Sequence, residues 1–478
     1  MLFYSFQFLI FFVIILGAYF TAPRRFRHLV LLAASYYFYF TWGLSYVTLL
    51  FPITLITFII ANAVAAAQDH SRKKLLLTAG IILNVGVLIF FKYFNFFNGE
   101  LRNLFDSFGI IYPVPQLKFL LPVGLSFFIF KTISYGIDVY RGTIPAERRF
   151  TRFALYVSFF PQLLTGPIER AGNFLPQLDN KHTPDPGRFR DGAALFIWGL
   201  FKKMVIADNL ATVVNWVYLA PQEYPGLALI VATYCYSFQI FCDFSGYSDM
   251  AIGAGRILGF STMRNFNRPY AAISVSDFWR RWHISLSTWF RDYLYIPLGG
   301  SRVSLVKWLR NVMIVFVISG LWHGAGWTFI LWGALHGIYL AGERLLAKPA
   351  SALTAAINLD RYPGIRKALR TGLTFHLITF AWIFFRASSI TDALFIVSHL
   401  FDGLSLTALN LFRQSDLTLA VVLIGFLLIA QFVRRKKSGI VWLMQYPRWI
   451  RWAAYTAMII AIINLRPEFE SGFIYLQF

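Results

Sequence analysis

The chain has 478 residues, 58% of them apolar and 14% charged, against about 45–50% and 25% in a soluble domain; an ordinary soluble protein is excluded. Its formal net charge of +22 comes from 44 Lys and Arg against 22 Asp and Glu, and the basic residues fall in short clusters between apolar runs, the pattern that sets membrane topology. No stacking motif, zinc-finger spacing or basic recognition helix is present, so nucleic acid is not an expected partner.

The first apolar run, Met1 to Phe20, lacks a basic leader and a small-residue cleavage site, and reads as a retained span. Windows of about twenty apolar residues, the length a span needs, follow near 29–46, 47–66, 75–97, 119–140, 192–219, 227–250, 371–385, 417–433 and 450–464. The window 311–341 is broken by Gly320, Gly324, Gly326, Gly333 and Gly337; it reads as one helix or as a re-entrant pair. The stretches 153–191 and 256–310 are too polar to span and too apolar to be free loops, which predicts amphipathic or re-entrant elements on the cytoplasmic side. Together these predict a single all-α polytopic membrane domain over 1–478, its lipid-facing surface covered by membrane lipids. The clusters Arg24–Arg27, Arg72–Lys74, Arg141–Arg152 and Arg434–Lys437 are expected in the cytoplasm, with both termini extracytoplasmic.

Cys235 and Cys242 lie seven residues apart in one apolar segment, about 10 Å along a helix, too far to pair. They have no metal-ligand spacing. No P-loop, H-E-x-x-H, G-x-S-x-G or paired C-x-x-C occurs, which argues against ATP-driven transport, zinc proteolysis and serine-hydrolase chemistry.

Ionisable groups at membrane depth are expensive and usually face a cavity. His323, in Trp322-His323-Gly324-Ala325-Gly326-Trp327, lies in an otherwise uncharged window between glycines. Imidazole can take or give a proton near neutral pH; the bland alternative is a neutral histidine bonded inside the bundle. His336 follows thirteen residues later, which on an unbroken helix is about 220° around and about 20 Å along. The two histidines can share a substrate only if the glycines break the segment.

The run Asp277-Phe278-Trp279-Arg280-Arg281-Trp282-His283 to Tyr293 mixes aromatic rings and cations at helical spacing. It reads as an interfacial helix with its tryptophans at the headgroups, or as an anion site for the phosphates of an acyl donor. Asp277 is spaced to pair with Arg280 or Arg281, and the surrounding cations favour a neutral His283. Asp243 and Asp249, six apart at the expected end of an apolar segment, could do acid/base work or simply bond Arg256 or Arg264. Asp138, near Arg141, and Asp208, near Lys202 and Lys203, read as neutralised structural charges. The segment 465–478 ends Phe473-Ile474-Tyr475-Leu476-Gln477-Phe478, an aromatic tail that is either a plug or a means of presenting the Tyr475 hydroxyl as an acyl acceptor.

These motifs, with Phe160-Pro161-Gln162-Leu163, Gly166-Pro167-Ile168, Asp243-Phe244-Ser245-Gly246-Tyr247-Ser248, Phe266-Asn267, Pro269-Tyr270 and Tyr295-Ile296-Pro297-Leu298-Gly299-Gly300 in this order, resemble the membrane-bound O-acyltransferases, in particular the bacterial type that serves alginate O-acetylation. The resemblance implies about eleven spans around a funnel, with His323 matching the family's catalytic histidine and His336 its second histidine region. It implies that Tyr475 carries the acyl group transiently, although Leu476 stands where family tails often have an aromatic residue. Acetyl-CoA is the expected donor, with no tightly bound cofactor and no metal. A periplasmic esterase-like (SGNH) acetyltransferase is the expected partner, a polysaccharide the acceptor and the inner membrane the location. Asp243, Asp277, Trp279, Arg280, Arg281 and His283 are candidates for donor binding or pore lining. Peptidoglycan, cellulose or D-alanylated teichoic acid are alternative destinations, and a transporter or flippase is the rival from another class.

Overall fold

Apolar backbone with no water to bond must satisfy its own polar groups, and a helix does so within one segment. The computed structural model describes residues 1–117, 122–433, 443, 445–467 and 472–474, and every regular element among them is helical. Six helices among the described residues are long and apolar enough to cross a membrane: Leu44–Ala66, His70–Ser107, Gly226–Leu258, Leu305–His323, Pro363–Arg386 and Gln414–Gln431. Other expected spans form shorter helices, Phe6–Thr21, Leu125–Tyr140 and Arg448–Asn464. The window 192–219 lies largely in one uninterrupted helical stretch that changes to π-helical winding in its middle. It comprises the helix Pro186–Leu200, a π-helical turn Phe201–Ala207 and the helix Asp208–Tyr218.

The chain groups into two compact units. The first comprises Met1–Ala193 and Ala251–Met263. Its core includes an aromatic knot in which Phe160 meets Phe8, Phe11, Phe12 and Phe38. Lys131 is buried on Leu125–Tyr140, donating to Gln162 Oε1 at 3.3 Å with its ammonium 4.7 Å from the ring of Tyr156. The segment 153–191 divides: residues 153–169 are buried, Phe159, Phe160, Gln162 and Glu169 among them, while most of 172–191 is exposed or half-buried.

The second unit comprises Ala194–Met250 and Arg264–Phe478 and contains most of the candidate residues. Here the run 277–293 differs from the expected interfacial helix. It breaks into Val275–Trp279 and Ile284–Phe290, followed by a π-helical turn Arg291–Tyr295, and His283 at the break has φ 41°, in the left-handed region. The break lets Phe278, Trp279 and Trp282 turn inward and become buried among other aromatic rings. Asp243 and Asp249 are also not at a helix end, because their helix continues to Leu258. Among the described residues their ion pairs within 4 Å are with Lys203 and Lys202, at 2.7 and 2.8 Å, and Arg264 feels the Asp249 charge only from farther away.

Candidate functional site

The glycine-rich window 311–341 is a hairpin: Leu305–His323 and Trp327–Leu345 run antiparallel, joined through Gly324–Gly326. Small residues let the two backbones approach. A Cβ on Gly320 would lie 2.2 Å from the carbonyl oxygen of Phe329, and one on Gly333 2.2 Å from that of Phe316. At the open end the Arg344 guanidinium sits 4.2 Å from the ring of Trp308.

The turn removes the separation that one straight helix would impose on the two histidines. Trp332 lies between them, its ring centroid 4.9 Å from that of His323 and 4.8 Å from that of His336. Both imidazoles are buried. Trp382 stacks on Trp332 at 5.7 Å, and Phe385 closes on His323 at 5.3 Å, so the histidines sit in a water-poor aromatic box.

The tautomer of His336 follows from its partner. Trp279 Nε1 can only donate, and it lies 3.3 Å from His336 Nδ1. That nitrogen must accept, which leaves the proton of a neutral ring on Nε2. Among the described residues Nε2 has no hydrogen-bond partner. Next to this pair is a cavity of about 300 Å³ lined by Trp279, Phe290, Arg291, Trp308, Phe316 and Leu340, among others. Trp279 and Phe316 therefore face both the cavity and the His336 ring, at 5.0 and 6.2 Å.

His283 is fixed in the same way. Asn265 Oδ1 accepts from the backbone N–H of Ser285 at 3.2 Å and from its hydroxyl at 3.0 Å, so the imidazole Nδ1 at 3.1 Å is the donor. His283 lies in the connection between Gly226–Leu258 and Leu305–His323, and complete burial lowers its pKa to about 3. The expectation of a neutral ring stands with a different cause, desolvation rather than the neighbouring cations.

Not every candidate converges. Asp277 accepts from Arg281 Nε at 2.8 Å and from the backbone N–H of Ile273 at 3.2 Å, which suits a local brace. Arg280 is exposed. Asp243 is buried beside the terminal segment: its Oδ1 meets Lys203 and its Oδ2 accepts from the backbone N–H of Ile474 at 2.8 Å. Phe473 packs 4.4 Å from Tyr247 and 6.2 Å from Phe244. Tyr475 lies outside the described residues.

Comparison with known proteins decides what kind of molecule carries this arrangement. The family model described as MBOAT, membrane-bound O-acyltransferase family, matches residues 144–389, a stretch that includes both histidines. The chain belongs to the membrane-bound O-acyltransferase family. It is thus an acyltransferase of polytopic membrane type. It is 40% identical over 437 residues, 90% of this chain and 85% of the relative, to the probable alginate O-acetylase AlgI of Azotobacter vinelandii. A peptidoglycan O-acetyltransferase of Helicobacter pylori is 37% identical over 83% of this chain and 78% of its own length. A teichoic acid D-alanyltransferase of Bacillus subtilis is 28% identical over 55% of this chain and 68% of its own length.

Within this family member, two residues matter that the sequence did not single out, and a third has a wider role than expected. Trp332 joins the histidines and Asn265 orients His283, while Lys203, expected beside Asp208 and found 2.7 Å from it, also holds Asp243. The available signals were the spacing Trp332-x-x-x-His336, which puts both on one helix face, and a lysine inside an apolar window.

Proposed function

We propose that this membrane-bound O-acyltransferase takes an acetyl group from acetyl-CoA on the cytoplasmic side of the inner membrane and passes it outward for O-acetylation of an envelope polysaccharide, alginate first among them. The observation that carries the reading is the pair of buried histidines on either side of Trp332, next to an apolar cavity. His323 acts as general base and takes the proton of the Tyr475 hydroxyl. The phenolate oxygen attacks the thioester carbonyl carbon, the C–S bond breaks, and protonated His323 returns its proton to the departing thiolate. The Nε2–H of His336 is suited to donate to the carbonyl oxygen as charge builds there.

The product is an acetyl ester on Tyr475, which a nucleophile of a periplasmic esterase-like partner takes over and delivers to the polymer. Dividing the route into two transfers makes physical sense, because a neutral ester costs far less to hold at membrane depth than a charged donor. The termini are extracytoplasmic in this reading, and the reaction needs neither a metal nor a resident cofactor.

The similarity to the alginate relatives supports alginate as acceptor. Peptidoglycan is the second reading, favoured by the 37% identity to the Helicobacter pylori enzyme; the partner, not this chain, would choose the polymer. Intact-mass analysis after incubation with acetyl-CoA tests the chemistry. Wild type is expected to gain one hydroxylamine-labile acetyl group that His323→Ala and Tyr475→Phe both lack. An acetylated Tyr475→Phe protein would remove Tyr475 as carrier, and an acetylated His323→Ala protein would remove His323 as base.

A further inference from the structure

Asp243 divides its two oxygens between different tasks. Oδ1 lies 2.7 Å from Lys203 Nζ, and the same ammonium lies 2.7 Å from Asp208 Oδ1. All three side chains are buried. Oδ2 points the other way and accepts the backbone N–H of Ile474 at 2.8 Å. Lys203 thus bridges two buried carboxylates, and the further donor aimed at Asp243 meets a charged acceptor. Hydrogen bonds to a charged acceptor are among the stronger ones. The side chains on either side of that amide strengthen the seat: the Phe473 ring is held by Tyr247 and Phe244, and both Phe473 and Ile474 are buried. Upstream, Asn209 Nδ2 donates to the carbonyl of Leu465 at 2.7 Å.

From this seat a row of ring contacts runs to the histidines. Phe244 meets His283 at 4.6 Å, His283 meets Trp322 at 6.0 Å, and Trp322 meets His323 at 4.9 Å. We propose that Asp243, backed by Lys203 and Asp208, is a positioning residue that seats residues 473–474 through the Ile474 amide and so sets the register in which the next residue is offered for acylation. This rests on the reading of residue 475 as acyl carrier. It assigns Asp243 no proton transfer and no contact with the donor, in contrast to an acid/base or donor-binding role.

The test combines amide hydrogen exchange of the segment 472–474 with steady-state acetyl transfer, in the full-length protein. Asp243→Ala removes the acceptor. Phe473→Ala loosens the seat from the other side and leaves the buried charges untouched, so it remains informative if Asp243→Ala does not fold. In each variant, exchange at the Ile474 amide is expected to accelerate about tenfold or more, the size of one lost hydrogen bond to a charged group. kcat is expected to fall by a comparable factor while KM for acetyl-CoA stays unchanged. A protected Ile474 amide in folded Asp243→Ala, or an accelerated amide with unchanged kcat in Phe473→Ala, would overturn the proposal. The exchange readout does not pass through Tyr475 chemistry, so an error in the carrier reading shows separately, as full transfer by Tyr475→Phe.

Discussion

Trp279 illustrates how much one side chain decides at the residue scale. Its indole N–H fixes the His336 tautomer, and its ring lines the adjoining cavity. Trp279→Phe keeps an aromatic wall and removes the donor. We expect kcat to fall about tenfold, since a histidine freed to change tautomer loses an orienting hydrogen bond. An unchanged kcat in steady-state assays would show that His336 orientation does not matter. Lys203 gives a stability counterpart: Lys203→Met leaves Asp208 and Asp243 buried without the ammonium, and should cost about 3–5 kcal/mol in thermal unfolding in detergent. His323 and His336 were visible in the sequence because an ionisable group in an apolar window stands out. The bonds from Asp243 to Lys203 and Ile474 were not, since they join residues 40 and 231 positions away and no local pattern encodes such distances.

At the scale of elements, the hairpin Leu305–His323/Trp327–Leu345 is the device that brings the histidines together. Its glycines are needed where backbones nearly touch. Gly320→Ala should force the helices apart and cost about 1–3 kcal/mol, the usual range for overpacking. Gly342→Ala, where a Cβ meets nothing within 4 Å, should shift stability by no more than about 1 kcal/mol and in the favourable direction. Equal melting temperatures for the two variants would contradict this packing account. The glycine pattern made a break legible in the sequence while leaving open whether it was made. The run 277–293 misled, because period alone suggested one helix. The left-handed residue His283, held by Asn265, breaks it and turns the tryptophans inward. Tertiary contacts override periodicity there.

For the whole molecule, helical class and membrane character were plain from composition, because a chain this apolar has few other ways to satisfy its backbone. The number of long spans was less plain: several windows became helices of 16 or 17 residues. Global stability should also depend on pH through His283. Its pKa is lowered to about 3 in the folded protein from the ordinary 6.5. The unfolded chain therefore takes up a proton that the folded one refuses, and stability should decline as pH falls from about 6.5 toward 3, by up to one proton's worth of slope. His283→Asn should flatten that slope in detergent melts between pH 7 and 4; an unchanged slope would show that other groups carry it.

The proposed reaction turns on proton transfer by His323. Acetyl transfer should therefore be measured in proteoliposomes containing labelled acetyl-CoA and the periplasmic partner, with wild type and His323→Ala matched for melting temperature. A loss of about 10²- to 10⁴-fold is expected in the variant, the range for removing a general base. Transfer by His323→Ala at the wild-type rate would contradict it.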